Sequence, residues 1–457
     1  MELDNLKSVY FIGIGGIGMS SLARFFHALG KKVSGYDKTQ TSLTDELVHE
    51  GIEVHFDDKG NNLNKEYPDK NSCLVVYTPA IPKDHGELNF FQKNNFNVMK
   101  RSEVLGMITK NHFTIAVAGT HGKTTTSSMI AHILRSSGIN CTAFLGGISK
   151  NYSSNLLLST GKFGESTIVV EADEYDRSFL TLHPDIAVIT SMDADHLDIY
   201  GDKNYMEDSY RMFAGQVKQN GLLLSRSGLP IGKVNAAQKH YSLEGESEYS
   251  ATDIVVKDHR YFFNWHGPAY EIENLSTQMP GRHNVENVAA AIAVASNLNI
   301  PREKISKGVH SYTGVKRRFD YQVESGNTVY IDDYAHHPEE LRACIMSAKE
   351  LYKGKKITGI FQPHLFTRTR DFAEGFGKSL SLLDELILLD IYPARELPIE
   401  GVTSKMIFDR VSIPNKTMCR KDDVLAQMKG RKVEVLLTLG AGDIDQLVDP
   451  LRKLYTG

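Results

Sequence analysis

The sequence predicts an α/β protein of three domains, and three observations support this fold class. Residues 9–37 follow the order strand, glycine-rich turn, helix and strand, and residues 113–134 repeat the first three of these elements. Beyond residue 315, apolar strands alternate with segments long enough for helices, which is typical of a doubly wound parallel sheet. The chain of 457 residues is also too long for a single hydrophobic core.

Composition excludes several classes of protein. The formal net charge is −4, whereas a nucleic-acid-binding domain usually has a surplus of basic residues. The cysteines at 73, 141, 344 and 419 lie far apart and form no CxxC pair, which favours a reducing compartment. The amino-terminal residues lack a signal-peptide pattern, and no apolar run reaches the roughly 20 residues that span a bilayer. We therefore expect a soluble, cytoplasmic protein.

The first domain is predicted to span residues 1–110 and to be Rossmann-like. An apolar strand is followed by a helix, and the turn between them has the glycine spacing GxGxxG, at Gly13, Gly15 and Gly18. Asp37 ends the next strand, where dinucleotide-binding folds place an acid against a ribose hydroxyl. These features indicate a nucleotide or a nucleotide-like ligand. The alternative is a turn that only lets the helix pack closely against the strand.

The strongest motif begins the central domain, which is predicted to span residues 111–314. A buried strand near residues 113–117 leads into a glycine turn and a helix. Such a turn directs backbone N–H groups and the positive end of the helix at one point, where a phosphate binds. Lys123 adds a cation for the β- and γ-phosphates, and the Thr124 hydroxyl is placed to bind Mg²⁺. The motif predicts a P-loop ATPase-like parallel sheet, although the spacing GxxxxGK[ST] fails at Val117.

Two further strands of this domain end in acidic residues. One leads into the sequence EADEYD and the next into MDADHLD. Because ligands of open parallel sheets bind at the carboxyl ends of the strands, both segments are expected near Lys123. So many carboxylates beside a triphosphate require cations, and Mg²⁺ prefers oxygen ligands. For Asp173, Asp176 and Asp198, a helix cap is the simpler interpretation.

The sequence GTHGKTTT at residues 119–126 resembles the phosphate loop of the Mur ligases, the ATP-dependent amide-forming enzymes of bacterial cell-wall synthesis. The loop of that family begins with Gly-Thr, which agrees with the departure at Val117. The resemblance implies an ATP-dependent ligase. The ATP-binding residues that it implies are Gly119, Thr120, His121, Gly122, Lys123, Thr124, Thr125, His283, Asn287, Arg317 and Asp332.

The resemblance extends to the first domain, which holds the UDP part of the substrate in Mur ligases. The opening GIGGIGMS is most similar to the members that add L-alanine to UDP-N-acetylmuramic acid. A member that reattaches a recycled peptide has a related but different opening. The implied UDP-sugar-binding residues are Gly13, Gly15, Gly16, Ile17, Gly18, Asp37, Thr78 and Ala80.

The resemblance also implies Mg²⁺ and a set of catalytic residues. The metal ligands would be Thr124, Glu171 and His196, and the catalytic residues Lys123, His196 and Arg318. One departure concerns a second metal ion, because several Mur ligases bridge two ions through a carbamylated lysine after this histidine. Residues 204–213 contain no lysine, and Lys203 and Lys218 are the nearest candidates.

Residues 281–287, GRHNVEN, resemble the adenine-contacting motif of the same family. An amide side chain offers a donor and an acceptor to an adenine edge, and Asn287 lies one helical turn after His283. Capping of the following helix by Asn284 is the alternative, and the two roles are compatible.

The third domain is predicted to span residues 315–457 and to be a Rossmann-like, doubly wound sheet. Two strand-end motifs stand out, DDYAHHP and QPHLFTRTRD. An amino acid that reacts through its amine must be held by its carboxylate, which cationic forks recognise. The predicted amino-acid-binding residues are Tyr334, His336, Arg368 and Arg370. A common family form has arginine where this chain has Leu365, so Arg370 or a histidine must replace it.

Together the resemblances imply one reaction, in which ATP phosphorylates the carboxylate of UDP-N-acetylmuramic acid and L-alanine displaces phosphate from the acyl phosphate. The expected assembly is a monomer or a homodimer. A peptide-adding relative would share this chemistry and differ in the amine pocket. An NAD(P)-dependent oxidoreductase would leave the phosphate loop unexplained, and a nucleotide switch would bind ATP without releasing phosphate.

Overall fold

The computed structural model describes residues 3–60, 63, 69–193, 200, 202–325, 328–394 and 396–456. These residues form two compact units. The first comprises Met1–Ser242, Glu246–Tyr249 and Ala290–Gly308, and the second Leu243–Gly245, Ser250–Ala289 and Val309–Gly457. Among the described residues, no helix is both long and apolar enough to cross a membrane. The predicted α/β fold class is confirmed, whereas the domain boundaries near residues 110 and 314 stay a prediction.

The first sheet is parallel, with the strand order β3-β2-β1-β4-β5. Its strands are β1 Ser8–Ile12, β2 Lys32–Tyr36, β3 Glu53–His55, β4 Cys73–Tyr77 and β5 Asn97–Lys100, and its helices are α1 Ile17–Ala28, α2 Ser42–His49, α3 Gly86–Lys93 and α4 Arg101–Thr109. The chain continues from β1 to one side and later returns on the other, so a crevice opens at the carboxyl end of β1. The GxGxxG turn lies at this crevice.

The central sheet of the first unit has the order β12-β11-β10-β6-β9-β7-β8, and only the edge strand β8 is antiparallel to its neighbour within this set. Its strands are β6 Thr114–Ala118, β7 Cys141–Ser149, β8 Ser154–Leu157, β9 Thr167–Glu171, β10 Ile186–Ile189, β11 Leu222–Arg226 and β12 Ala237–Leu243, with helices α5 Lys123–Ser136 and α6 Lys203–Gly215. Strands β6 and β10 are buried at every residue, as expected for parallel strands with both faces covered.

Buried polar contacts fix helix α1 to strand β8 within the first unit. Asn155 is 0% exposed, and its Nδ2 donates to the Ile17 carbonyl at 2.6 Å and to Ser20 Oγ at 2.9 Å. Its Oδ1 accepts from Arg24 Nη1 at 2.5 Å, and Arg24 also pairs with Glu50. Because a buried amide without these partners would cost free energy, the network holds the start of α1 in one position against the central sheet.

The second unit contains an antiparallel meander. Its strands are β13 Tyr249–Lys257, β14 Arg260–His266 and β15 Glu271–Thr277. Two helices follow along the chain, α7 Arg282–Asn297 and α8 Arg302–Ser311, of which residues 290–308 belong to the first unit. The helix that was predicted to follow the GRHNVEN motif begins at Arg282, so the motif lies in its first turns.

The last sheet has the order β16-β17-β21-β18-β19-β20, with β16 antiparallel and the other strands parallel. Its strands are β16 Asp320–Ser325, β17 Thr328–Asp333, β18 Ile357–Phe361, β19 Glu385–Leu388, β20 Lys416–Met418 and β21 Val435–Leu439, and its helices are α9 Pro338–Leu351, α10 Phe366–Asp371, α11 Ala373–Leu380, α12 Lys405–Phe408, α13 Val424–Met428 and α14 Val448–Thr456. The motifs DDYAHHP and QPHLFTRTRD begin at the carboxyl ends of β17 and β18.

Candidate active site

The turn between β6 and α5 has the geometry of a phosphate-binding loop. Gly122 is the N-cap of α5 and has a φ of 83°, a left-handed conformation that glycine adopts at little cost. A side chain at Gly119 would collide with Thr190 and Ser191. Helix α5 begins at Lys123, so its amino end lies at the turn. Backbone N–H groups and the helix dipole together make this point favourable for an anion.

The Lys123 ammonium group lies inside this loop. Its Nζ donates to the Gly119 carbonyl at 2.6 Å and pairs with Glu174, which is 1% exposed, at 2.8 Å. Burial alone lowers the pKa of Lys123, but the carboxylates of Glu174, Glu171 and Asp173 outweigh it, and the pKa is raised. Lys123 is therefore a fixed positive charge beside the anion-binding turn.

The remaining loop residues are fixed by the segment after β10. Thr120 Oγ1 donates to the Asp193 carbonyl at 2.8 Å, and the His121 N–H donates to Ser191 Oγ at 2.8 Å. The His121 ring lies 3.7 Å from the Asp193 carboxylate. Thr124 and Thr125 lie in the first turn of α5 and are each 6% exposed. The structure thus brings together the predicted loop residues from Gly119 to Thr125.

Glu171 provides a carboxylate at the end of β9, beside Val117 of β6. It accepts from the Gly146 N–H at 3.1 Å, and a Cβ at Gly146 would collide with the carboxylate. Thr124 offers a hydroxyl and Glu171 a carboxylate, and oxygen donors of this kind fit Mg²⁺, which keeps several water ligands. Across the described residues, no three His, Cys, Asp or Glu side chains cluster closely enough for a closed metal cage. His196, the third predicted ligand, lies outside the described residues.

The GxGxxG turn is held by the ends of the neighbouring strands. Asp37 accepts from the Gly15 N–H at 2.8 Å and from the Thr39 N–H at 3.1 Å. A Cβ at Gly13 would lie 2.6 Å from Thr78 Cγ2, so only glycine fits there. The structure brings together the predicted residues Gly13, Gly15, Gly16, Ile17, Gly18, Asp37 and Thr78, and Ala80 is exposed just beyond them.

A cavity of about 230 Å³ extends from this turn to the end of β9. Its lining includes Gly16, Gly18 and Thr78 at one side and Glu171 and Asp173 at the other. The nucleotide-type turn and the acidic strand end therefore face the same space within the first unit. A substrate held by its nucleotide and activated at its far end would lie there.

In the second unit, two asparagines form a buried amide pair at the start of α7. Asn287 Nδ2 donates to Asn284 Oδ1 at 3.2 Å, and Asn284 Nδ2 donates to the Pro280 carbonyl at 2.6 Å. The two residues are 8% and 4% exposed, whereas His283 is exposed. The predicted adenine-contacting role of Asn287 therefore depends on Asn284, which the sequence indicated only as a cap.

Two arginines after α8 lie over the ring of Tyr334. The guanidinium carbons of Arg317 and Arg318 are 5.1 and 5.2 Å from the ring centroid. Arg317 Nε donates to Asp332, which is 1% exposed, at 3.0 Å, and Arg318 lies 3.5 Å from Glu340. Burial raises the pKa of Asp332 although Arg317 opposes this effect. These arginines are thus ordered by carboxylates and an aromatic face.

The predicted amino-acid site forms a cluster at the ends of β17 and β18. The rings of His336 and His364 are 6.1 Å apart, and His336 and Tyr334 are 5.3 Å apart. Arg368 Nη1 donates to His364 Nδ1 at 3.3 Å, and Arg368 is 6% exposed. A guanidinium can only donate, so His364 must accept at Nδ1. Arg370 lies elsewhere on α10, where it is exposed and pairs with Asp371 at 2.7 Å.

Burial makes Asp333, at the end of β17, sensitive to pH. It accepts from the Phe319 and Ala335 N–H groups, each at 2.7 Å. Burial raises the pKa of Asp333 to about 6, although Arg318 opposes the shift. An unfolded aspartate titrates near 3.9, so the folded chain binds more protons between about pH 4 and pH 6. This contribution to stability is complete below about pH 4 and is lost as the pH rises through about 6.

As the pH is raised from 4 to 7, we expect the free energy of unfolding to fall less in Asp333→Asn than in the wild type. The difference between the two decreases is expected to reach about 3 kcal/mol. Urea unfolding at several pH values measures this difference, and only the change with pH counts, since the variant also loses one acceptor. Asp371→Asn, at an exposed position, is the control. A pH profile of Asp333→Asn that is parallel to the wild type would contradict the assignment.

Three family models match the chain over most of its length. The Mur ligase family catalytic domain matches residues 8–113, the Mur ligase middle domain residues 117–295, and the Mur ligase glutamate ligase domain residues 317–442. The chain belongs to the Mur ligase family.

Two similar proteins and one solved structure are named UDP-N-acetylmuramate–alanine ligases, and a second solved structure is named a murein peptide ligase. The UDP-N-acetylmuramate–L-alanine ligase of Flavobacterium johnsoniae is 49% identical over 454 residues, 99% of each chain. That of Porphyromonas gingivalis is 50% identical over 453 residues, 98% of this chain and 99% of its own. The crystal structure of the UDP-N-acetylmuramate–alanine ligase of Thermotoga maritima has a TM-score of 0.83 at 26% identity, covering 98% of this chain and 99% of its own. A murein peptide ligase of Psychrobacter arcticus, 20% identical with a TM-score of 0.73, covers 98% of each chain and shares the fold.

The structure accounts for one departure from the common Mur pattern. Leu365 is 3% exposed, and its N–H donates to the Tyr392 carbonyl at 3.0 Å. Its side chain packs inside the second unit and cannot hold a carboxylate. Arg368, three residues later and hydrogen-bonded to His364, is the buried cation of this motif, whereas Arg370 pairs with Asp371.

The second departure concerns the lysine that bridges two metal ions in several Mur ligases. Lys218 pairs with Asp185 at 2.8 Å, and Asp185 accepts from the Thr114 N–H at 2.8 Å. Asp185 and Lys218 therefore lie at the amino ends of β6 and β10, at the edge of the sheet opposite the phosphate loop. Lys218 is wrong as a bridging candidate, and the side chain of Lys203 lies outside the described part of the chain.

Sequence reasoning assigned no role to Glu174 or His364, and it indicated Asn284 only as a helix cap. Each of the three residues lies within a motif that was singled out. Their buried contacts distinguish them from their neighbours, and such contacts arise where the chain leaves a strand or starts a helix. At these points neither the period of two nor that of 3.6 predicts which side chain turns inward.

Proposed function

We propose that this chain is an ATP-dependent ligase that joins L-alanine to the lactyl carboxylate of UDP-N-acetylmuramic acid and releases ADP and phosphate. The observation that carries the proposal is the cavity in the first unit, where the GxGxxG turn and the Glu171 strand end face one space. Lys123 and the amino end of α5 lie at the same edge of the central sheet. The named activity of the full-length relatives supports the choice of substrates.

The mechanism follows from the poor electrophilicity of a carboxylate. A carboxylate oxygen of the UDP-sugar attacks the γ-phosphorus of ATP, the bond to the β-phosphate oxygen breaks, and an acyl phosphate forms. The amine of L-alanine then attacks the acyl carbon, and phosphate leaves with the oxygen that came from the carboxylate. Lys123 and the N–H groups at the start of α5 stabilise the negative charge that develops on the transferred group.

We propose Thr124 and Glu171 as the protein ligands of Mg²⁺, with His196 near a second ion. When bound, Mg²⁺ would neutralise charge between the two anions that must approach each other. Gly146 leaves room for the Glu171 carboxylate and donates to it, so the ligand is oriented before the metal binds.

For the second substrate, we propose that Arg368 and His336 bind the carboxylate of L-alanine and that Tyr334 shapes its side-chain pocket. A planar guanidinium suits a carboxylate because it donates two parallel hydrogen bonds. Arg368 is held in place through His364, as a bidentate site requires. Asn287 and His283 are proposed for adenine, and Arg317, Arg318 and Asp332 for the phosphate end of ATP.

We further propose a cytoplasmic enzyme that is a monomer or a homodimer. It consumes ATP, and its four cysteines are free thiols, which agrees with a reducing compartment.

A matrix of phosphate-release assays tests the function. UDP-N-acetylmuramic acid and UDP-N-acetylglucosamine are each paired with L-alanine, glycine, L-serine and the recycled tripeptide. We expect ATP-dependent phosphate release only with the muramic acid sugar, and the highest kcat/KM with L-alanine. Preference for the tripeptide would identify a peptide-adding ligase instead, and the absence of phosphate release with every pair would refute a ligase.

A further inference from the structure

Arg101 lies at the GxGxxG turn although it is distant from that motif in sequence. It is the first residue of α4, directly after β5, so it stands at the same edge of the first sheet as the turn after β1. A Cβ added to Gly18 would lie 2.8 Å from Arg101 Nη1 and 3.2 Å from Cδ. A side chain at Gly18 would therefore displace the Arg101 guanidinium from the start of α1.

Arg101 also lines the cavity that joins the glycine turn to the end of β9. Among the residues that line this cavity, it is the one with a positive charge, whereas Glu171 and Asp173 are acidic. A doubly charged diphosphate that enters this space meets repulsion from the acids. Arg101 and the amino end of α1 are the groups that offset it.

An ion pair with Asp173 keeps the guanidinium in this position. Arg101 Nη2 lies 3.1 Å from Asp173 Oδ2, and the arginine side chain is 18% exposed. The contact with Asp173 uses one of the five N–H donors of the Arg101 guanidinium. The planar guanidinium can donate other N–H groups to a phosphate group, whose geometry it matches. The adjacent Lys100 makes a similar pair with Asp176 at 3.1 Å, but Lys100 does not line the cavity. The two neighbours therefore share a tethering contact and differ in access to the cavity.

We propose that Arg101 binds the diphosphate of the UDP-sugar and orients the substrate along the cavity, with Asp173 holding the guanidinium ready. The diphosphate is the favoured partner because Arg101 contacts Gly18 at the start of α1, where backbone N–H groups already attract an anion. The lactyl carboxylate must instead reach the phosphate loop beside Lys123. The inference rests on the proposed function, since it assumes a UDP-sugar as substrate.

The test measures the affinity of Arg101→Ala and Lys100→Ala for UDP and for UDP-N-acetylmuramic acid by calorimetry, together with KM for each substrate. We expect Arg101→Ala to weaken both ligands about 10- to 100-fold and to leave KM for ATP and L-alanine within about twofold. Lys100→Ala removes a tether of the same kind and is expected to stay within about twofold of the wild type throughout. UDP lacks the lactyl carboxylate, so its weakened binding assigns the effect to the diphosphate.

Three results would overturn the proposal. The first is an equal effect of Arg101→Ala and Lys100→Ala, which would show that Arg101 acts only through its ion pair. The second is an unchanged affinity of Arg101→Ala for UDP. The third is a rise in KM for ATP that parallels the rise for the UDP-sugar. If Arg101→Ala does not fold, Arg101→Lys keeps the charge but loses the fork, and wild-type UDP affinity in that variant overturns it equally. Calorimetry with UDP needs no turnover, so a wild-type enzyme that binds UDP but forms no amide refutes the proposed function alone.

Discussion

Lys123→Ala is expected to lower kcat at least about 1000-fold while leaving UDP binding unchanged. Lys123 is the ammonium group inside the phosphate loop, 2.6 Å from the Gly119 carbonyl, and no shorter side chain can place a charge there. The proposed UDP site lies at the end of the first sheet, so we expect it not to depend on this charge. Phosphate release at saturating substrates and calorimetry with UDP measure the two effects.

A control is needed because Lys123→Ala removes the cation that lies 2.8 Å from the buried Glu174 carboxylate. Removing one partner of a buried ion pair costs about 3–5 kcal/mol of stability, so the single variant loses activity and stability together. The double variant Lys123→Met with Glu174→Gln removes both charges, and we expect it to regain most of the stability and none of the activity. A stable double variant that kept a tenth of the wild-type kcat would show that Lys123 does not act on the phosphates.

Arg368→Ala is expected to raise KM for L-alanine about 100-fold and to change KM for ATP less than about twofold. The loss corresponds to about 3 kcal/mol, the usual size for one partner of a buried, charge-assisted pair. Arg368 is 6% exposed and donates to His364, so the guanidinium is ordered before the amino acid binds. Initial rates with each substrate varied in turn measure both constants.

Arg370→Ala is the matched control on the same helix. Its guanidinium is exposed and pairs with Asp371, and we expect both Michaelis constants to stay within about twofold of the wild type. A larger rise in KM for L-alanine in Arg370→Ala than in Arg368→Ala would support Arg370 as the carboxylate-binding residue. It would contradict the assignment of that role to Arg368. An effect of Arg368→Ala on ATP alone would move that residue to the nucleotide site.

The sequence predicted the elements that carry a simple period. The strands that were predicted before MDADHLD and QPHLFTRTRD correspond to β10 and β18, because continuous apolar runs mark parallel strands buried on both faces. The edge strands β16 and β20 were missed. An edge strand is paired on one side only and is less buried than a central strand. Its sequence therefore has a weaker apolar pattern.

The sequence predicted the motifs of the site better than the roles of single residues within them. The GKT turn was recognised because glycine conformation and helix start are local properties. Arg101 and Gly18 meet only through the sheet order β1-β4-β5, and the Lys123 to Glu174 pair only through the pairing of β6 with β9. Contacts of this kind depend on topology, which a linear pattern does not contain. The wrong suggestion of Lys218 has the same origin, because sequence distance from His196 did not reveal which edge of the sheet the lysine occupies.

Oxygen-18 transfer tests most directly whether the carboxylate of the sugar is activated by phosphorylation. UDP-N-acetylmuramic acid is labelled with ¹⁸O in its lactyl carboxylate, and the phosphate released during one turnover with ATP and L-alanine is analysed by mass spectrometry. An acyl phosphate requires that the released phosphate contain one oxygen from the carboxylate, so each amide formed should yield one labelled phosphate from a doubly labelled sugar. Amide formation with unlabelled phosphate would contradict the account.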